Sequence, residues 1–273
     1  MRLTTLSAGR CYSIGALAER GGPWRIVDFP AGFALIEDEP IGPILFDTGY
    51  GPGVPAALRR WPGILYGLVT PVRLRPGETA AEQLVARGIA PEEVALVVVS
   101  HLHADHIGAL ADFPRARLAI DVDHARPVLA RRGLRAVARA FLPQLLPGDY
   151  AERLYPLHFS SPPPWLTEFD RAADLTGDGR LWVVRAPGHA AGELCLVAGT
   201  PGRPDGTGLT LLAGDAAWSS AALRAGRLPP LPARLILDDT RAAAATVRLL
   251  ARWARTHPGA RIICSHDRNS DGN

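Results

Sequence analysis

The sequence predicts an α/β fold in which two mixed β-sheets pack against each other and helices cover their outer faces. Strand-rich stretches followed by helix-bearing stretches occur in both halves of the 273-residue chain, which favours two similar sheets over one doubly wound sheet. Hydrophobic residues make up 47% of the chain and charged residues 21%, as in proteins that bury a substantial core. Strands continue on both sides of the proline-rich stretch 156–165, so we expect a single domain over residues 1–273.

The first half of the chain is predicted to begin with a sheet. Short apolar runs alternate with Gly, Pro and acidic turn residues, a pattern typical of strands. The predicted strands are residues 11–14, 33–36, 43–46 and the fully apolar run 94–99. Residues 78–88 show helical spacing. Residues 61–76 are apolar but contain five Pro and Gly residues, so we expect an irregular loop there, and we favour a substrate lid over a core flap for 61–72.

The second half alternates between helices and strands. The predicted helices are residues 121–132, 134–142 and 239–256, and the predicted strands are 181–184, 194–197, 209–213 and 262–264. Three arginines, Arg131, Arg135 and Arg139, recur at every fourth position. If this segment is helical, they share one face, which we interpret as a solvated face rather than an anion-binding rim.

The charged residues exclude two classes of function. The chain has 30 basic and 27 acidic residues, a net charge of +3, and all the basic residues are arginine. Without lysine, Schiff-base catalysis by this chain is excluded. The arginines are scattered and form no dense tract, so we expect no nucleic-acid partner.

The cysteines and the N-terminus bear on the compartment. Cys11, Cys195 and Cys264 are odd in number and far apart, which indicates neither a disulfide framework nor a CxxC pair. The N-terminus lacks the apolar core of a signal peptide, and the run 94–99 is too short to span a bilayer. We expect a cytoplasmic protein with a small-molecule substrate and no membrane partner; a homodimer is compatible with the sequence.

A cluster of metal-ligand residues follows the predicted strand 94–99. Residues 101–106 read His-Leu-His-Ala-Asp-His, which places three imidazoles and one carboxylate where a strand gives way to the next element. Imidazole nitrogen and carboxylate oxygen are ligands that borderline divalent metals accept. A strand end presents them at the edge of a sheet, where a substrate can reach them. The segment therefore predicts metal binding.

The spacing within this segment indicates two metal ions. His101 and His103 can converge from an extended segment, whereas Asp105 and His106 lie at the turn into the next helix and point elsewhere. Further ligands are then expected at other strand ends. Three candidates directly follow apolar strands, namely His189, Asp215 and His266.

Together these seven residues resemble the ligand set of the metallo-β-lactamase superfamily, with its HxHxDH motif, later His, bridging Asp and final His. The resemblance covers most of the chain, from the segment 46–49 to the segment 265–267. It implies a four-layer αββα sandwich. It also implies that His101, His103 and His189 bind one ion, that Asp105, His106 and His266 bind a second, and that Asp215 lies between them.

The resemblance further implies a cofactor and a mechanism. Zinc is the default for both divalent ions, and iron and manganese use similar nitrogen and oxygen ligands. Two such ions lower the pKa of a bridging water toward roughly 7, so that a bridging hydroxide is the expected nucleophile. The expected catalytic carboxylates are Asp215 and Asp105, of which Asp105 passes a proton to the leaving group.

Within the superfamily, the chain is most similar to the lactonase-type branch, which opens cyclic esters. Asp215 departs from zinc β-lactamases, which lack this bridging carboxylate. The lactonase branch often carries Tyr three residues after the bridging Asp, where this chain has Trp218. An indole offers only an N–H donor. We expect a dinuclear hydrolase acting on an ester or lactone with an apolar portion.

Other functions on the same fold remain open at this point. One is a mononuclear-iron sulfur dioxygenase, and others are hydrolysis of a thioester, a phosphodiester or a β-lactam. A catalytically silent binding protein is a further alternative. The complete second ligand set disfavours the oxygenase and the silent protein, and the number of bound ions discriminates among them.

The remaining polar residues of interest receive simpler interpretations. Asp47 either supports the metal site from outside or forms a turn before Gly49, and Asp267 presents the same two alternatives. His257 is expected at a helix C-terminus, and His124 on a solvated helix face. His158 receives no role.

Overall fold

The structure is a computed structural model that describes residues 1–38 and 40–267. The strands are β1 (Arg2–Ile14), β2 (Ile26–Asp38), β3 (Gly42–Phe46), β4 (Val72–Arg73), β5 (Leu96–Val98), β6 (Arg117–Ala119), β7 (Ala172–Asp174), β8 (Leu181–Arg185), β9 (Leu194–Ala198), β10 (Thr210–Leu212) and β11 (Arg261–Ile263). The α-helices are α1 (Gly15–Ala18), α2 (Gly53–Leu58), α3 (Gly63–Val69), α4 (Ala80–Val85), α5 (Ala104–Ile107), α6 (Val122–Leu129), α7 (Gly133–Val137), α8 (Ser220–Arg224) and α9 (Thr240–Thr256).

The strands form two mixed sheets. The six-stranded sheet has the order β4-β1-β2-β3-β5-β6, in which β5 pairs in parallel with both β3 and β6. The five-stranded sheet has the order β11-β10-β9-β8-β7, in which β10 and β11 are parallel and the other pairs are antiparallel. The predicted fold class is confirmed.

The two sheets pack face to face and helices cover their outer faces. Ile44 and Phe46 of β3 belong to the core between the sheets, together with Leu196 of β9. Leu45, between them, faces the opposite way into the core shared with helices α2 to α6. On the other side of the molecule, Trp253 of α9 packs on the five-stranded sheet. Because both faces of each sheet are covered, strands β3, β5 and β9 carry no polar side chain.

The segment 61–76 is more regular than predicted. It contains helix α3 and the short strand β4, and its helix begins directly after Pro62 and ends before Pro71. Proline at the start of a helix leaves no hydrogen bond unmade, so the prolines bound the helix without interrupting it. The expectation of a wholly irregular loop is therefore wrong.

The predicted basic helix face also requires correction. Helix α6 ends before Arg131, and a separate helix, α7, begins at Gly133, whose φ of +57° lies in the left-handed region. Arg131 and Arg139 are half-buried and both approach Oδ1 of Asp238, Arg131 with Nη2 at 2.9 Å and Arg139 with Nε at 3.5 Å. Only Arg135 of the three is exposed. The interpretation as a solvated face is wrong for the two arginines that Asp238 binds.

Other element boundaries differ in length. Strands β1 and β2 pair antiparallel over nearly their whole lengths, with a register shift between Ser7 and Arg10, and are much longer than predicted. Helix α7 is shorter than predicted, because residues 141 and 142 turn into the core instead. No helix in the described part of the chain is long and apolar enough to cross a membrane.

A close backbone contact holds the loop after β3 against the turn that follows α5. Thr48 donates to the carbonyl of His106 from both its backbone N–H and its hydroxyl, each at 2.9 Å. The N–H of Gly108 donates to the carbonyl of Gly49 at 3.0 Å. A Cβ at Gly108 would lie 2.7 Å from that carbonyl oxygen. The absence of a side chain at this position allows the two backbones to meet.

We predict that Gly108→Ala lowers the free energy of unfolding by about 1–3 kcal/mol, the usual cost of overpacking, because the loop after β3 must move away. Urea unfolding followed by circular dichroism measures it. Gly148→Ala is the matched control, since a Cβ there meets nothing within 4 Å. Equal stability of the two variants would contradict the steric argument.

Candidate metal centre

The seven predicted ligand residues, distant in sequence, lie together in the structure. They form two groups in which the candidate ligand atoms are within 4.8 Å of one another. The first group is His101, His103, His189 and Asp215, and the second group is Asp105, His106 and His266. Each of the seven residues is at most 9% exposed, so the cluster is built into the interior.

Each part of the cluster follows the end of a strand. The residues 101–106 follow β5, with His103 capping α5 and both Asp105 and His106 within that helix. His189 follows β8, Asp215 follows β10, and His266 follows β11. The ends of strands from both sheets thus meet at one edge of the sandwich.

A glycine before His189 permits this convergence. Gly188 has a φ of +136°, and a Cβ there would lie 2.1 Å from the backbone nitrogen of Ala243 in α9. Its carbonyl accepts the N–H of Asp239 at 3.0 Å. The His189 turn is therefore seated directly against the start of α9, where only glycine fits.

Asp215 faces both groups. Its Oδ2 lies 3.4 Å from Nε2 of His189 in the first group and 3.1 Å from Nε2 of His266 in the second. Its Oδ1 lies 3.6 Å from Nε2 of His106. In the second group, Oδ2 of Asp105 lies 3.6 Å from His266 and 3.7 Å from His106. Most of these distances are too long for hydrogen bonds.

These separations fit side chains that share an ion. Ligand atoms about 2.0–2.1 Å from a tetrahedral zinc lie roughly 3.3–3.4 Å from one another, close to the separations of 3.1–3.7 Å around Asp215 and Asp105. Nε2 of His189 and Nδ1 of His103 approach to 3.0 Å. The donor set of imidazoles and carboxylates suits zinc, iron or manganese.

Unpaired polar atoms concentrate in the cluster. Among the described residues, five buried side-chain nitrogen or oxygen atoms have no hydrogen-bond partner, and four of them belong to these two groups: His101 Nε2, His106 Nε2, His189 Nδ1 and Asp215 Oδ1. Buried polar atoms are nearly always paired in folded proteins. A cation is the partner that would satisfy the lone pairs of His101 Nε2, His106 Nε2 and Asp215 Oδ1.

Burial sets the protonation of the first group. It lowers the pKa of His101 and His189 well below the ordinary 6.5, and neighbouring histidines lower both further. Burial also lowers the pKa of His103 to about 4, against the opposing effect of Asp105 and Asp215. These imidazoles are neutral at pH 7 and keep a lone pair available to a metal ion.

Carboxylates dominate the second group. Burial alone would lower the pKa of His106, but Asp47, Asp105 and Asp215 outweigh it and raise the pKa well above 6.5. In the same way, Asp215 and Asp105 raise the pKa of His266 to about 9. Burial would raise the pKa of Asp215, yet His266 and His106 hold it well below its usual 3.8. Without a metal ion, protons on histidine therefore balance these carboxylates.

Asp47 supports the cluster from outside. It is fully buried, with φ +62°, and its Oδ1 accepts the N–H of Ser100 at 2.7 Å. Its Oδ2 accepts the hydroxyl of Ser100 at 2.7 Å and lies 2.8 Å from Nδ1 of His106. Ser100 Oγ in turn lies 3.0 Å from Nδ1 of His101. These hydrogen bonds orient His101 in the first group and His106 in the second, and they direct the Nε2 atom of each ring into the cluster.

Asp267 and the other histidines have structural contacts instead. Asp267 accepts the backbone N–H groups of Ser220 and Cys264 at 2.9 and 3.0 Å, as expected for a turn. His257 ends α9 and stacks on the indole of Trp253. Two further histidines, His124 and His158, are exposed. These three histidines lie outside both groups.

Two residues of the site were missed by sequence reasoning. Ser100 directly precedes the motif, and its position between strand and ligands was the available signal. Glu193 is 1% exposed and accepts the backbone N–H of Asp215 at 3.1 Å and of Ala190 at 3.4 Å. It thereby links the turns that carry His189 and Asp215. The available signal for Glu193 was an acidic residue directly before the apolar strand β9.

Comparison with known proteins agrees with this geometry. The sequence profile of the metallo-β-lactamase superfamily matches residues 34–266. The N-acyl homoserine lactonase AttM of Azorhizobium caulinodans is 32% identical over 245 residues, which cover 88% of this chain and 82% of the relative.

Solved structures share the fold. An N-acyl homoserine lactone hydrolase with the product N-hexanoyl-L-homoserine at its catalytic metal centre superposes with a TM-score of 0.71 at 19% identity, covering 98% of this chain and 94% of the other. The dizinc quorum-quenching lactonase AidC gives a TM-score of 0.62 at 17% identity, covering 98% and 87%.

We predict that Asp47→Asn weakens zinc binding about 10- to 100-fold, because Asn has one acceptor oxygen in place of the two with which Asp47 contacts Ser100 and His106. Competition titration against a chromophoric chelator measures the affinity. Asp174→Asn is the matched control, because Asp174 ends β7 and its carboxylate accepts backbone N–H groups of the turn that follows. Zinc affinity that does not differ between the two variants would rule out this role for Asp47.

Proposed function

The chain belongs to the metallo-β-lactamase superfamily, and we propose that it is a dinuclear metal-dependent hydrolase of an ester or lactone with an apolar portion. The observation that carries this proposal is the pair of adjoining ligand groups that share Asp215. The homoserine lactonases among its relatives support the substrate class.

The proposed ligands follow from the two groups. One ion would be held by His101, His103 and His189, the other by Asp105, His106 and His266, and Asp215 would contact both. When bound, such ions polarise a carbonyl oxygen and make hydroxide available near neutral pH. Zinc is the proposed metal, and iron and manganese suit the same donor atoms.

The chain's own carboxylates have different tasks in this proposal. Asp215 stays ionised at pH 7, because His266 and His106 lower its pKa, and both of its oxygens remain acceptors. Asp105 is 8% exposed, and its Oδ2 lies between His106 and His266. In this proposal Asp105 would pass a proton to the departing alkoxide oxygen.

Trp218 forms the apolar side of the site. Its ring centroid lies 6.1 Å from that of His189 and 6.5 Å from that of His266, so it borders one ligand of each group. With Phe29 and His266 it lines a cavity of about 150 Å³. The indole N–H has no hydrogen-bond partner among the described residues. An apolar portion of the substrate would pack against the indole ring, and the indole N–H would remain available as a hydrogen-bond donor.

The intact second group favours hydrolysis over the alternative oxygenase. A mononuclear-iron dioxygenase would leave Asp105, His106 and His266 without a shared ion. The structure keeps these three residues within 4.8 Å of one another and buried, and it adds Asp47 to orient His106. These contacts support the proposal that a second ion binds beside His106.

We predict that His103→Ala abolishes hydrolysis of aryl esters and lactones, with at least about a 100-fold loss of kcat, because the first ion loses a ligand. Circular dichroism should remain native. His158→Ala, at an exposed histidine outside both groups, is the control and should retain wild-type turnover. Unchanged turnover in His103→Ala would exclude the proposed chemistry.

We also predict that Trp218→Tyr raises kcat/KM for lactones about 10-fold, if a hydroxyl donor stabilises the developing oxyanion better than the indole N–H. Steady-state kinetics on a γ-lactone measures it. Trp24→Tyr, at an indole that is 81% exposed, controls for the substitution itself. The absence of a gain would show that residue 218 does not limit lactone opening through its donor.

A further inference from the structure

Two cavities beside the candidate metal centre adjoin each other. The inner cavity, of about 150 Å³, and an outer one, of about 110 Å³, are both lined by Ala18, Glu19, Trp218 and Ser219. Because they share these four residues, they form one cleft. Its inner end reaches His266 and its outer end opens between α1 and the segment after α8.

The walls of the cleft change in character along its length. At the inner end the rings of Phe29 and Trp218 both stand edge-on to His266. The middle and outer parts are lined by apolar side chains, Ala221, Ala222, Leu228 and Pro229. A ligand that extends outward from the metal centre therefore first passes two aromatic rings and then an aliphatic wall.

Two arginines, Arg20 and Arg227, line the outer end of the cleft. Nε of Arg20 donates to the carbonyl of Leu228 at 3.1 Å, which places this side chain across the cleft mouth and leaves its terminal nitrogens free to bind a ligand. Neither arginine has a carboxylate within 4.0 Å in the described part of the chain. Two arginines without a carboxylate partner among the described residues thus line the same opening.

Glu19 is the acidic residue shared by both cavities, and Asp267 lines the inner one. An oxygen of Glu19 accepts the hydroxyl of Ser219 at 3.2 Å, and Asp267 accepts two backbone N–H groups. The acids therefore lie at the middle and inner parts, whereas the arginines define the mouth. An anionic group suits the mouth, because guanidinium binds carboxylate through paired N–H donors.

We propose that the cleft selects an ester or lactone that carries a carboxylate, separated from the scissile carbonyl by an apolar segment. The carbonyl lies at the metal centre, the apolar segment lies against Trp218 and the aliphatic wall, and the carboxylate binds Arg20 and Arg227. This inference rests on the proposed hydrolase function. It goes beyond that function by assigning a charge to the distal end of the substrate.

The test compares two esters of equal acyl length, mono-4-nitrophenyl glutarate with a terminal carboxylate and the neutral 4-nitrophenyl pentanoate. The zinc-loaded wild type is expected to have the higher kcat/KM for the glutarate ester. In Arg20→Ala/Arg227→Ala this preference should fall about 10-fold, mainly through KM. Arg248→Ala, at an exposed arginine on α9 outside the cleft, should keep the wild-type preference.

Three results would overturn the proposal: a wild-type preference for the neutral ester, a preference that persists in the double variant, or an equal loss in Arg248→Ala. If the wild type hydrolyses neither ester, the hydrolase proposal fails while the cleft is still tested. Glutarate is then titrated calorimetrically into the zinc-loaded wild type and the double variant. Equal affinity for both proteins would refute the arginine site, and weaker binding to the double variant would support it.

Discussion

Seven histidine and aspartate side chains approach one another in the interior with almost no access to water, and the rest of the structure is arranged around this constraint. A buried polar atom without a partner costs roughly 1–3 kcal/mol, and four such atoms lie in the cluster. In the first group burial lowers the histidine pKa values, and in the second group carboxylates raise them. Metal binding would release the protons on the second group and satisfy the lone pairs of both.

The fold brings these side chains together because strands of both sheets end at the same edge of the sandwich. The candidate ligands follow β5, β8, β10 and β11, strands that belong to both sheets. Each group takes residues from both sheets, so the packing between the sheets sets the distances within each group. Close backbone contacts at Gly108 and Gly188 hold the ligand-bearing turns against their neighbours. Asp47 and Ser100 then orient two of the candidate ligands through short hydrogen bonds, and Glu193 accepts the backbone N–H of Asp215.

Much of the candidate metal centre could be predicted from the sequence, because each of its motifs spans only a few residues. The motif 101–106 and the apolar strands before His189, Asp215 and His266 can be recognised within a few residues. Interactions between distant segments could not be predicted in this way. Asp238 pairs with Arg131 and Arg139 across about a hundred residues, and helical spacing alone suggested a solvated face. The prolines around α3 suggested an interrupted segment, because the sequence does not show where the helix begins and ends. In the structure they lie just outside its two ends.

The central claim is that two metal ions occupy adjoining sites that share Asp215. The most direct measurement is elemental analysis of the protein as purified, combined with an anomalous-difference map from a crystal. The account predicts two ions per chain, one beside His101, His103 and His189 and the other beside Asp105, His106 and His266. A single ion, or none after reconstitution with excess zinc, would contradict it.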